Sequence, residues 1–318
     1  MQDKDPQHYD DVKEIPFELD DIHPLISYGA FGVVDKVKVR AGCFEDRSLE
    51  DRSLVRKLFI KVQKEDVETV QGEAKILKKA QHYHVVELIM TYIYESPHGI
   101  SFAMITDSAD VNLERYLHND SSEKPPRLEH IPQWFGCLLS AISFIHGIDI
   151  RHRDIKPASI LIKKKKVMLG GFDIATVGET VSTTVTSRPS ATTPTYCAPE
   201  VEEGGTSGKS ADIFSLGAVF LEMLIAHSYP KEFQRLKALT TGENRSYANN
   251  ISEVQGLMEN PEKGPQHVDW HSEILGFCRR MLDPDRGKRP TAEEMYSKWP
   301  KLASLEKSVT PCGCVGGG

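Results

Sequence analysis

An α+β chain in two parts, a small strand-rich N-terminal part and a larger helical C-terminal part, is what three features of the sequence predict. Short β-like runs fill residues 17–106, helical periodicity takes over after Val111, and one segment, Ala211 to Ala226, is apolar on nearly every side. A helix of that last kind lies inside a protein, so the C-terminal part is built around it.

Taken in order, residues 1–16 read as a polar lead-in. Strand-like runs follow from Phe17 to about Arg40 and from Leu54 to Lys57, separated by a charged loop from Gly42 to Asp51. A helix is predicted over about Asp66 to Ala80, with Val70, Ala74 and Leu77 on one face. Two more strands are predicted at Val85 to Tyr94 and Ile100 to Thr106. Phe135, Leu138, Leu139, Ile142 and Ile145 then recur at helical spacing and mark a buried face. Ile160 to Ile162 and Val167 to Leu169 flank Lys163 to Lys166, the pattern of a hairpin with a solvated turn. Residues 306–318, with Cys312 and Cys314, read as a flexible tail. A cleft between two such parts is a natural ligand site.

Composition narrows the function. Hydrophobic residues make up 39% and charged residues 27%, an ordinary globular balance. The net charge of −7 offers no basic footprint for nucleic acid, so a protein partner or protein substrate is expected. No run of eighteen apolar residues is present, which argues against a membrane span. Six scattered cysteines behind a polar, acidic N-terminus suggest reduced thiols, hence a cytoplasmic protein, or else a nuclear one.

The most specific segment is His152-Arg153-Asp154-Ile155-Lys156-Pro157-Ala158-Ser159. It resembles the protein-kinase catalytic loop, H-R-D-x-K-P-x-N, except at its last place. The resemblance implies that Asp154 orients the substrate hydroxyl and that Lys156 faces the transferring phosphate, as in Ser/Thr kinases. Ile26 to Val34 looks like the Gly-rich loop over the phosphates, with Ser27 at the first glycine's place and Gly29 and Gly32 retained. For the nucleotide-gripping lysine, Lys57 is preferred to Lys61. Val55 is the small residue two places before Lys57, whereas Phe59 would crowd the adenine, and Glu73 follows Lys57 at a usual gap.

The resemblance implies nucleotide contacts from Ile26, Ser27, Gly29, Gly32, Val34, Val55, Lys57, Glu73, Asp107 and Ala109. It also implies structural roles for Glu200 paired with Arg289, and for Asp212 holding the catalytic loop. It covers residues 17–305, with the N-lobe at about 17–106 and the C-lobe at about 111–305, and the phrasing looks most like fungal Ser/Thr kinases. The expected architecture is therefore the bilobal protein-kinase fold.

Two departures fall on one chemistry. Ser159 stands at the asparagine that binds the second metal, and Gly171 of Gly171-Phe172-Asp173 stands at the aspartate of Asp-Phe-Gly. The family's two protein ligands for magnesium are replaced, leaving Asp173 as the substitute carboxylate to consider. The sequence thus implies an ATP-type site with doubtful magnesium binding and a kinase-like module with weak or no phosphotransfer. An active Ser/Thr kinase with atypical metal use stays open as the alternative. Ten Ser and Thr residues between Glu179 and Thr195 leave open a phosphate that pairs with Arg153.

Overall fold

The computed structural model describes residues 6–20, 25–29, 32–44, 49–63, 66–97, 99–118, 128–172, 175–177, 194–240, 246–259 and 269–305. The chain folds as two compact units, Met1–Asp110 and Val111–Gly318.

The first unit holds β1 (Gln7–Tyr9), β2 (Phe17–Leu19), β3 (Leu25–Gly29), β4 (Gly32–Val39), β5 (Leu54–Val62), helix α1 (Val67–Lys79), β6 (Leu88–Ser96) and β7 (Gly99–Asp107). Its sheet runs in the order β1-β6-β7-β5-β4-β2, with β3 also pairing β4. Strand alternation divides β5 between two cores. Leu54 and Leu58 join a cluster with Phe17, Val37, Ile89, Tyr92 and Ile105. On the other face Phe59 packs with Phe102, Met104 and the α1 residues Val67, Val70 and Ala74.

Residues 6–16, the described part of the expected lead-in, depart from it. β1 pairs in parallel with β6, Gln7 opposite Tyr92 and Tyr9 opposite Tyr94. Ile15 is only 4% exposed within the first cluster, and the Tyr9 ring meets Tyr92 edge-on at 5.9 Å. A three-residue strand has no alternation to read, and its parallel partner lies far along the chain. β5 likewise continues past Lys57 to Val62 because β7 pairs it from Leu54 to Phe59 and again at Val62. β6 begins at Leu88 rather than Val85, whose N–H closes a turn on the His82 carbonyl at 3.0 Å.

The second unit contains β8 (Val111–Asn112), α2 (Leu113–Leu117), α3 (Ile131–Gly147), β9 (Ile150–Arg151), β10 (Ile160–Lys163), β11 (Lys166–Leu169), β12 (Thr176–Val177), α4 (Pro199–Glu202), α5 (Lys209–Ser228), α6 (Pro230–Leu239), α7 (Ile251–Glu259), α8 (Asp269–Met281) and α9 (Ala292–Leu305). Helix α5 is its axis, with Leu216, Val219, Phe220, Leu221 and Leu224 fully buried. By length and composition α5 is apolar enough to cross a membrane, which the sequence reading did not anticipate. Yet 83% of its most apolar stretch is buried inside the protein, as befits a core helix. Phe135 on α3 meets Phe220 edge-to-face at 5.0 Å. β10 and β11 form the expected hairpin, Ile160 opposite Leu169. Trp134 on α3 anchors its lysine turn by donating to the Lys165 carbonyl at 2.9 Å.

The buried N-terminal residues yield a first test. Ile15→Ala should lower stability by about 2–4 kcal/mol in urea denaturation. An unchanged midpoint would mean that residues 6–16 merely lean on the sheet.

Candidate nucleotide and catalytic site

In the first unit, alternation puts Val55, Lys57 and Phe59 on one face of β5. Lys57 Nζ reaches Glu73 Oε2 at 2.7 Å and lies 5.3 Å from the Phe59 ring centroid. The Phe59 side chain therefore belongs to the core beneath α1 and to the flank of the ammonium. Lys61 is exposed and left-handed, φ +55, where the pairing of β5 with β7 shifts register. Of the two lysines, Lys57 is the one joined to the α1 carboxylate, a charge-assisted bond that fixes the ammonium.

Gly29 pairs with Gly32 where β3 turns into β4. Gly32 has φ +107, and a Cβ there would run into the Leu58 carbonyl oxygen, so the turn requires glycine. Val34 lies opposite Lys57 across β4 and β5. Ile26 and Ser27 lie on β3, but their side chains are outside the described residues, as are Ala30 and Phe31. Asp107 ends β7 and accepts from Arg52 Nε at 3.0 Å. Ala109 follows, its carbonyl taking the Ser108 hydroxyl at 3.3 Å.

In the second unit the catalytic loop hangs from α5. Asp212, 1% exposed, accepts the backbone N–H groups of His152 and Arg153, each at 2.8 Å, and His146 Nε2–H at 3.0 Å. Burial would raise its pKa, but these donors and nearby His152 outweigh it and hold the carboxyl below the ordinary range. Arg153 is thereby kept at φ +70, a left-handed backbone that such over-determination sustains.

His152 is fully buried, which pushes its pKa below 6.5 against the pull of Asp212. Its Nδ1 faces the Asp154 N–H at 3.3 Å, so the neutral ring carries its proton on Nε2 and donates to the Gly170 carbonyl at 2.8 Å. Phe172, 1% exposed, lies against this ring with centroids 4.7 Å apart. Asp154 Oδ2 meets Lys156 Nζ at 2.7 Å.

The two positions at which the resemblance leads one to expect metal ligands are Ser159 and Gly171. Ser159 donates its hydroxyl to the Asp154 carbonyl at 2.9 Å. Gly171 adopts φ +73 and supplies no side chain. Among the described residues, no three His, Cys, Asp or Glu side chains gather as a metal site. Of these two positions, only Ser159 carries a side-chain oxygen. Asp173 lies outside the described residues, as do Thr180 to Thr193 and the tail with Cys312 and Cys314.

The scaffold pair is well formed. Arg289, its side chain fully buried, grips Glu200 through two 2.8 Å bonds and donates from Nε to the Asp283 carbonyl at 2.7 Å. Sequence reasoning missed two buried groups. His146 sits at the C-terminal end of the apolar face of α3, where only its polarity marked it. Glu222, 0% exposed on α5, accepts on Oε1 from Tyr196 at 3.0 Å, Tyr247 at 2.9 Å and Lys237 at 3.2 Å. Burial, reinforced by Glu222, pushes the Tyr196 phenol well above its usual range. The glutamate was hidden in an all-apolar run, with its partners on distant segments.

A buried lysine–glutamate pair on strand and helix, a D-x-K catalytic loop slung from a core helix, and a buried arginine–glutamate bridge define a protein-kinase architecture. The chain matches the protein kinase domain over residues 24–299 and belongs to that family, with its bilobal fold of a β-sheet N-lobe and a helical C-lobe. Membership implies an ATP site. It is 28% identical over 286 residues to the serine/threonine-protein kinase nekl-2 of Caenorhabditis elegans, covering 86% of this chain and 71% of that protein. It is 24% identical over 290 residues to the serine/threonine-protein kinase TIO of Arabidopsis thaliana, covering 89% of this chain. It is 26% identical over 294 residues to the dual specificity protein kinase shkE of Dictyostelium discoideum, covering 90% of this chain. It spans only 19% of TIO and 36% of shkE.

Two tests arise from these contacts. Glu200→Ala leaves the buried guanidinium without its counter-charge, held by backbone carbonyls alone, and should cost about 3–5 kcal/mol of stability. A loss under about 1 kcal/mol would mean that solvent reaches Arg289. The second test concerns acid. Unfolded imidazoles take up protons near pH 6.5, whereas buried His152 resists until lower pH. Its contribution is complete above about pH 6.5 and is lost as pH falls toward the folded value. His152→Gln should flatten that part of a stability-versus-pH curve, leaving the share of His227, also lowered by burial. An unchanged slope would assign the acid loss elsewhere.

Proposed function

We propose that this chain is a Ser/Thr-kinase-like module with weak or no phosphotransfer, acting by binding a protein partner. The observation that carries the reading is the pair Ser159 and Gly171. In place of the two expected metal-ligand side chains stand a neutral hydroxyl, which donates to the Asp154 carbonyl, and a glycine with no side chain. The metals in such a site neutralise phosphate charge, a contribution of several kcal/mol. Losing about 4 kcal/mol would slow transfer roughly a thousandfold. The scaffold contacts at Asp212, Glu200 and Arg289 meanwhile stay in place, so the loss of metal ligands does not follow from a collapsed fold.

A second reading, an active Ser/Thr kinase with atypical metal use, draws on the retained pairs Lys57–Glu73 and Asp154–Lys156. The two readings separate in one experiment. Thermal unfolding with ATP, with and without Mg²⁺ or Mn²⁺, should show no shift that depends on metal. Radiolabelled ATP should give no transfer to a generic protein substrate above a Lys57→Ala control. A metal-dependent shift together with transfer abolished by Lys57→Ala would establish the active kinase. Ser159→Asn with Gly171→Asp should create metal-dependent ATP binding if the ligands are the missing part.

A further inference from the structure

We infer that Ser159 and Gly171 form one packed latch, in which the residue at each position sets what the other position accepts. This deepens the proposed function and rests on its reading of the site. Ser159 is 6% exposed and bonded at three points. Its N–H donates to the Lys156 carbonyl at 3.0 Å, its hydroxyl to the Asp154 carbonyl at 2.9 Å, and its own carbonyl accepts from Gly170 N–H at 2.9 Å. The short 3₁₀ turn Pro157–Ser159 is thereby tied both to the catalytic loop and to the end of β11.

The next residue along presses on this turn. A Cβ on Gly171 would lie 2.9 Å from Ser159 Oγ and 3.1 Å from Ser159 Cβ, at φ +73. Gly170 is also close, its Cβ position 3.1 Å from Leu161 Cδ1. Two glycines thus let the backbone run in contact with Ser159 and Leu161, and any side chain at 171 must displace the hydroxyl that holds Asp154. A lone aspartate regained at 171 therefore meets Ser159 as its obstacle, since its short polar side chain is among those that visit the left-handed backbone. The coupling is local and physical, because both sides of it lie within one unit of the fold.

A double-mutant cycle on folding stability tests it. Gly171→Ala in the native background should lower the folding equilibrium constant about tenfold from the left-handed backbone. It should lower it a further severalfold because Ser159 gives up its bond. With Ser159→Gly already present, that second part should disappear and the penalty of Gly171→Ala should shrink at least threefold. Equal penalties in both backgrounds, within about twofold, would overturn the latch. Should the alanine variant not fold, Gly171→Asn tolerates the left-handed backbone and carries the same cycle. The readout is stability, so phosphotransfer by the native protein would sink the proposed function without touching this cycle. Additive penalties would sink the latch and leave the proposed function standing.

Discussion

The carboxylate of Asp212 is the point from which the second unit is organised. An anion that deep in a protein survives only if its lone pairs are filled, and here they are filled by two catalytic-loop amides and His146. The donors come from α3 and from the loop beyond β9, while the acceptor rides on α5, so one buried charge joins three segments. Everything downstream inherits this placement. Arg153 can hold its left-handed backbone, His152 can sit neutral with its proton on Nε2, and Phe172 finds an aromatic partner.

The contacts that fix the backbone of this segment are in place, with a serine hydroxyl bonded to the Asp154 carbonyl at 159 and a glycine at 171. Hydrogen bonds made within the protein explain why the fold tolerates this pair. Ser159 gives its hydroxyl to the loop it belongs to, and no buried polar atom of Ser159 is left unpartnered among the described residues. Proposed loss of transfer and retained architecture are thus compatible at the level of single bonds.

Much of this was legible in the sequence because it is written in local patterns. Helix α5 announces itself by being apolar on all sides, and α3 by its stripe of Phe135, Leu138, Leu139, Ile142 and Ile145. The pairing of Lys57 with Glu73 was also legible, since the spacing between the two residues points to it. What stayed hidden was non-local. β1 is three polar residues that become a strand only beside β6, and Ile15 enters a core assembled from β2, β4, β5, β6 and β7. Glu222 and His146 carry no motif, and their importance appears only when Tyr196, Tyr247 and Asp212 are brought to them. The closeness of Gly171 to Ser159 depends on backbone angles that no residue pattern encodes.

The grip of Asp212 has a consequence for motion. The amides of His152 and Arg153 belong to no helix, and the N–H of Arg153 to no strand, yet both are bonded to a carboxylate fixed on the largely buried helix α5. Opening either amide strips a bond from a buried carboxylate, so both should exchange hydrogen with solvent more slowly than the amides of an ordinary loop. The segment that carries Asp154 is in that way tied to the core of the second unit.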